Sequence, residues 1–176
     1  MDPLFSSRSI WTMIHGIALG GGALLALAAA AFAVIAMHPA PERDSAQSRH
    51  LARLSAAAAA LLWATVIAGT YVTFPPYRAT PPEGVKDLSA YPRELIRSDP
   101  ETAWLHSFAM ETKEHVPWIA AMLATAVAAV AVRYRGQMLA DGSLRRISAS
   151  VLALTLALVA GVSLLGVFIN KVAPLE

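Results

Sequence analysis

Five histidines are the residues of this chain best suited by type to do chemistry, and their settings differ. His15 lies inside an apolar stretch, four residues beyond Trp11. With Trp11 as an interface anchor, His15 sits about 6 Å further in, at 1.5 Å of rise per residue. An ionisable side chain at that depth is costly, so it is a functional candidate by default. Gly16-Ile17-Ala18-Leu19-Gly20 follows, then Gly21 and Gly22. Such spacing of small residues lets a partner helix or a flat macrocycle approach the backbone. The same pattern also serves helix packing alone, with His15 bonded to a hydroxyl or carbonyl of a neighbour.

The second concentration is His106-x-x-x-Met110-Glu111-x-Lys113-Glu114-His115, just before Pro117 and Trp118. On a helix, Glu111 and His115 share a face by i,i+4 spacing, and His106 and Met110 share another. His106 and His115 point to nearly opposite sides. His115 stands at the mouth of an apolar stretch at a depth similar to that of His15. The two suit axial ligation of a haem b iron between facing helices. Glu111 with His15 and His115 forms an alternative three-ligand set for iron or zinc. His106 with Met110 forms a further ligand pair for haem iron. A di-metal carboxylate centre lacks its acids, because spans one, two and four contain none. The bland alternative for residues 111–115 is a solvated interfacial charge cluster. Tyr71 and Thr70 can hydrogen-bond a cofactor propionate or a quinone carbonyl, and Arg78 can pair with a propionate. Tyr71 and Tyr77 also suit an aromatic belt. His38 reads as surface, and His50, beside Arg49 and Arg53, reads as a lipid headgroup contact.

The elements that must position these residues follow from composition. Of 176 residues, 56% are hydrophobic and 15% charged, against about 25% charged in soluble domains. Mean hydropathy is +0.52. A large soluble surface and intrinsic disorder are both excluded. A net charge of +2 gives nucleic-acid binding no electrostatic support. Without cysteine, disulfides, cysteine-ligated zinc, iron–sulfur clusters and covalently attached haem have no ligands. Four stretches free of Asp, Glu, Lys and Arg are long enough to span a bilayer. They run over about 10–37, 54–74, 116–132 and 147–170. The first is too long for a signal-peptide core and reads as a retained helix. The expected fold is all-α: a polytopic membrane protein with four transmembrane helices in a bundle. The outer loop, 75–115, should carry a short helix before span three. Pro75 should end the second span. Ser98-Asp99-Pro100-Glu101 has the form of a capping box, and a helix from it either lies at the interface or stacks onto the third span.

Connection 133–146 holds four arginines and one acid, and connection 38–53 holds Arg43, Arg49 and Arg53. Their density close to the spans places both on the cytoplasmic side, with the termini and loop 75–115 outside. Glycine-loop nucleotide sites and the H-E-x-x-H and G-x-S-x-G motifs are absent. The apolar mid-spans argue against transport.

In this plan, with His15 and His115 at one end, the chain resembles small four-helix b-type cytochrome subunits of bacterial respiratory complexes. The resemblance implies a membrane subunit in the bacterial inner membrane holding one outer-side haem b. It would link a periplasmic electron carrier to the quinone pool, with His15 and His115 as iron ligands and Tyr71 and Arg78 as propionate or quinone contacts. Such a subunit would transfer electrons rather than catalyse a reaction of its own. A different class remains open: a cofactor-free structural subunit, its alanine- and glycine-rich faces packed on other membrane subunits and lipids. A single metal or quinone site from His15, Glu111 and His115 is the third expectation.

Overall fold

The computed structural model describes residues 5–38 and 46–173. The flank at 1–4, the charged segment 39–45 with Arg43, and the last three residues lie outside the described residues. Among the described residues every regular element is helical. Four helices are long and apolar enough to cross a membrane: α1 (Ser7–Ile35), α2 (Ala46–Tyr77), α4 (Leu105–Arg133) and α6 (Gly142–Val172). Between them lie two short helices, α3 (Pro92–Ser98) and α5 (Arg135–Ala140). α1 packs on α2, α2 on α4, α4 on α6 and α6 on α1, so the four long helices close a ring.

The ring interior is built from small side chains at helical spacing. α1 buries Ala23, Leu27, Ala30 and Val34, and α4 buries Ala120, Ala124, Val127 and Ala131. Steps of three and four residues keep one face inward. Alanine lets backbones come close, which matters where dispersion rather than water expulsion drives packing. Several hydroxyls on the long helices satisfy themselves locally. Thr65, Thr125, Thr155 and Ser163 each donate to the carbonyl four residues earlier, at 2.7–2.8 Å. One cross-helix pair is more specific: Trp63 Nε1 donates to Thr125 Oγ1 at 2.9 Å. The Trp63 ring also meets Trp118 edge-on at 5.8 Å between centroids.

Three π-helical stretches interrupt the long helices: Ile14–Gly21 in α1, Gly69–Thr73 in α2 and Leu105–Met110 in α4. All three lie toward the end of the ring that carries the 78–104 connection, here the cap end. The widened turn explains a difference from the sequence expectation. α2 does not stop at Pro75; it runs through Pro75 and Pro76 to Tyr77. After the π stretch these prolines occupy the first turn of a fresh α-helical segment, where a missing N–H costs nothing.

The cap differs in the same instructive way. Helix α3, not expected from the sequence, precedes Ser98-Asp99-Pro100-Glu101 and ends at it. Asp99 Oδ1 accepts from the Glu101 amide at 2.8 Å, and the Asp99 carbonyl accepts from Thr102 and Ala103. These bonds form a turn that leads directly into α4, which then continues through Pro117 without a break. α3 inserts Ile96, fully buried, into a small second core with Tyr77, Leu105, Ala109 and Ile169. At the opposite end, Arg145 donates to the Met138 and Leu139 carbonyls. Asp141 caps α6 through the Ser143 and Leu144 amides.

The Trp63–Thr125 bond generates a test. Trp63→Phe and Thr125→Val should each destabilise the chain in detergent by about 1 kcal/mol, the usual net worth of a hydrogen bond. The double variant should lose less than the sum of the two, read from thermal unfolding midpoints in a double-mutant cycle.

Candidate functional site

The cap-end interior of the ring receives one side chain or one backbone notch from each long helix. His15 enters from the π-helical stretch of α1 and brings the Cε1 end of its ring against Gly69 of α2. A Cβ on Gly69 would stand 2.8 Å from His15 Cε1 and 3.5 Å from each ring nitrogen. Only hydrogen fits there, so glycine is what admits the ring. The ring also reaches the backbone of Thr65, one turn earlier on α2. Gly69 opens the second π-helical stretch, so two widened turns face each other across His15. Such turns recur at functional sites because they re-aim side chains.

Lys113 enters from α4 on the far side and crosses to α6. Its Nζ lies 2.8 Å from where a Cβ on Gly166 would be. A second glycine thus makes the notch for a second long polar side chain. Lys113 is the charged group acting on His15 among the described residues. The Thr65 backbone takes one nitrogen of the His15 ring, and the rest of the pair's hydrogen-bonding capacity is unmatched among the described residues. His15 Nδ1 is buried with no hydrogen bond. No carboxylate among the described residues comes within ion-pair distance of the Lys113 ammonium. An ammonium offers three donors and no acceptor. A buried polar group without a partner is costly and calls for an explanation. The Lys113 ammonium therefore suits an acceptor, such as a carbonyl, a carboxylate or an anion, while Nδ1 of a neutral His15 ring whose other nitrogen is bonded to the Thr65 backbone offers a lone pair.

The polar groups of the cap gather around Tyr77. Its hydroxyl is 3.0 Å from His106 Nδ1, and its ring stacks on Phe74 at 6.1 Å. Arg78 lies over the other aromatic partner, with its guanidinium 5.3 Å from the Phe74 centroid. Glu114 sits in the field of Glu111, Arg78, His115 and His106. Arg93 is bonded to Glu94 at 2.8 Å on α3.

The residues singled out from the sequence are distributed as follows. His15 is in the interior. His115 is exposed, and its Nδ1 donates to the Glu111 carbonyl one turn earlier at 2.8 Å. It lies two residues after Lys113, and positions two apart on an α-helix point about 200° apart. The inward position opposite His15 is therefore held by Lys113, and the structure does not bring His15 and His115 together. A bis-histidine haem between α1 and α4 does not fit this arrangement. Glu111 is exposed, and among the described residues no three His, Asp or Glu side chains converge as a metal-ligand set. His106 is engaged by Tyr77, while Met110 is buried in the second core, so the two do not act as a pair. Tyr71 is 70% exposed on the outer surface of α2. Arg78 belongs to the cap rather than to the interior.

Lys113 is the residue that the sequence reading passed over, grouped with a solvated charge run. A signal was present. The buried alanine register of α4 steps back from Ala131 through Val127, Ala124 and Ala120, and seven residues before Ala120 stands Lys113. Four residues earlier again is Ala109, fully buried. The polar residue falls on the inward stripe.

The glycine notch is directly testable. Gly69→Ala should destabilise the chain by about 1–3 kcal/mol through overpacking against the His15 ring. Gly16→Ala, where nothing lies within 4 Å, should be neutral or slightly stabilising in the same unfolding measurement. In the His15→Ala background, the Gly69→Ala penalty should disappear.

Comparison of the chain with protein-family profiles, with curated proteins and with solved structures gave no match, so the reading of this site rests on its geometry.

Proposed function

We propose that this chain is a multi-pass subunit of an electron-transfer complex in a bacterial plasma membrane, and that the space between His15 and Lys113 takes the head of a quinone. The observation that carries this reading is the Lys113 ammonium, brought by α4 into the field of His15 with no acceptor among the described residues, beside a His15 Nδ1 that is buried without a hydrogen bond. A quinone carbonyl supplies that acceptor. It is uncharged when oxidised, enters from lipid, and gains negative character on reduction, which a nearby ammonium favours. Gly16 and Gly21 border open space beside His15, and Ile14 and Ile17 are exposed on the same stretch. These residues give the α1 stretch that carries His15 an open, apolar outer surface. Glu114, His106 and Tyr77 provide titratable groups between this interior and the cap surface, suited to moving protons outward.

In this reading the cap, the termini and Arg78 face the cell exterior, and the arginine-rich end faces the cytoplasm. The cap is then the surface available to an extracytoplasmic electron carrier. The orphaned His15 Nδ1 also suits a single-histidine haem b ligand, which is the second reading.

The test uses ubiquinone labelled with ¹³C at its carbonyls and added to the chain in lipid nanodiscs. The infrared carbonyl stretch should move to lower frequency in the wild type, and Lys113→Met should diminish that movement. A carbonyl band unchanged from protein-free nanodiscs overturns the quinone reading. A reduced-minus-oxidised spectrum with a b-type α-band that His15→Ala abolishes replaces it with the haem reading. Sidedness is read separately, since the chain has no cysteine of its own. Glu83→Cys should react with a membrane-impermeant maleimide added outside intact cells, and Gln137→Cys should react only after lysis.

A further inference from the structure

The end of the ring opposite His15 holds a second concentration of polar chemistry that the proposed function does not use. A cleft of about 240 Å³ opens there between α2, the end of α4 and α5. Arg49 and Arg53 of α2 and Arg135 of α5 line it, and Ala52, Ala56 and Val132 line the rest. Arg49 and Arg53 are one turn apart and share a face, as do Ala52 and Ala56. The cleft thus combines guanidinium groups with an apolar lining at the end of two membrane-length helices.

Three other charged groups at this end are already committed. Arg145 donates to the Met138 and Leu139 carbonyls, and Arg146 donates to Ser143 Oγ. Asp141, the acid at this end among the described residues, accepts from two α6 amides as their cap. Arg49 and Arg135 have further interactions within the chain, so a ligand would join them rather than replace a vacancy. Arg53 is exposed at the mouth. Guanidinium groups match phosphate oxygens in planar, bidentate fashion. A free phosphate has no use for the alanine and valine lining, whereas a phospholipid places its glycerol and first acyl carbons there.

We infer that the Arg49–Arg53–Arg135 cleft is a binding site for the phosphate head of an anionic phospholipid, seated between α2 and the α4–α5 corner. This site holds whichever way the chain faces, and it is independent of the quinone reading. Its lipid adds an anchor for α5 beside its contacts with α2, α4 and α6.

The experiment measures the full-length chain in detergent by native mass spectrometry and by thermal unfolding. Phosphatidylglycerol, phosphatidylcholine and inorganic phosphate are each added in turn. The wild type should retain phosphatidylglycerol preferentially and unfold at a higher temperature with it than with phosphatidylcholine. Arg53→Gln should weaken retention roughly tenfold, the loss expected for about 1.4 kcal/mol, and Arg49→Gln/Arg53→Gln should abolish the preference. Arg146→Gln removes the same charge from the same end without touching the cleft, and should retain the lipid as the wild type does. Equal weakening by Arg146→Gln overturns the site in favour of diffuse attraction. Equal protection by inorganic phosphate overturns the lipid in favour of a free anion. Should the double variant fail to fold, Ala56→Leu fills the cleft with all arginines intact and must still reduce lipid retention.

Discussion

An imidazole and an ammonium placed between packed helices need room before they need partners, and that constraint organises the cap end of this molecule. Alanine interiors bring backbones close and leave no space for long polar side chains. Gly69 gives space to His15, and Gly166 gives space to Lys113. The two polar residues then occupy the same interior from opposite walls. Each glycine acts on a neighbouring helix rather than on its own backbone, which is why neither stands at a turn. The cost of leaving His15 Nδ1 and the Lys113 ammonium unmatched remains, and it falls at one place in the ring.

The widened turns belong to the same account. A backbone in lipid must satisfy its hydrogen bonds internally, so a spanning helix changes register only by paths that keep most bonds made. π-helical stretches do this with one extra residue per turn. In α1 the stretch carries His15; in α2 it begins at Gly69 and delivers Pro75 and Pro76 to positions that need no N–H. In α4 it carries His106 to Tyr77, tying the cap to the ring. The cap core around Ile96 and Ile169 holds these polar groups in place.

The two ends of the ring differ in how charge is spent. At the cap, acids and bases alternate around Tyr77 and Glu114. At the other end, arginines dominate among the described residues, and some of them are consumed in capping α5. The asymmetry suits a protein that meets different phases at its two faces: an aqueous or protein surface at the cap and lipid headgroups at the arginine end.

Composition and span length by themselves determined that the chain is helical, with four stretches long and apolar enough to cross a bilayer, because about 30 Å of hydrocarbon admits little else. They also singled out His15, the one histidine inside a charge-free stretch. Tertiary structure decided who faces it. Charge runs read as solvated when counted along the chain, yet a helix distributes Glu111, Lys113 and His115 to different sides. The inward stripe of Ala120 and Ala124 passes through Lys113 and misses His115. Nor does local propensity reveal a π-helical turn, since its extra residue is set by packing across the ring. The partner of Gly69 is a side chain 54 positions earlier, and such a pairing exists only once two helices are laid side by side.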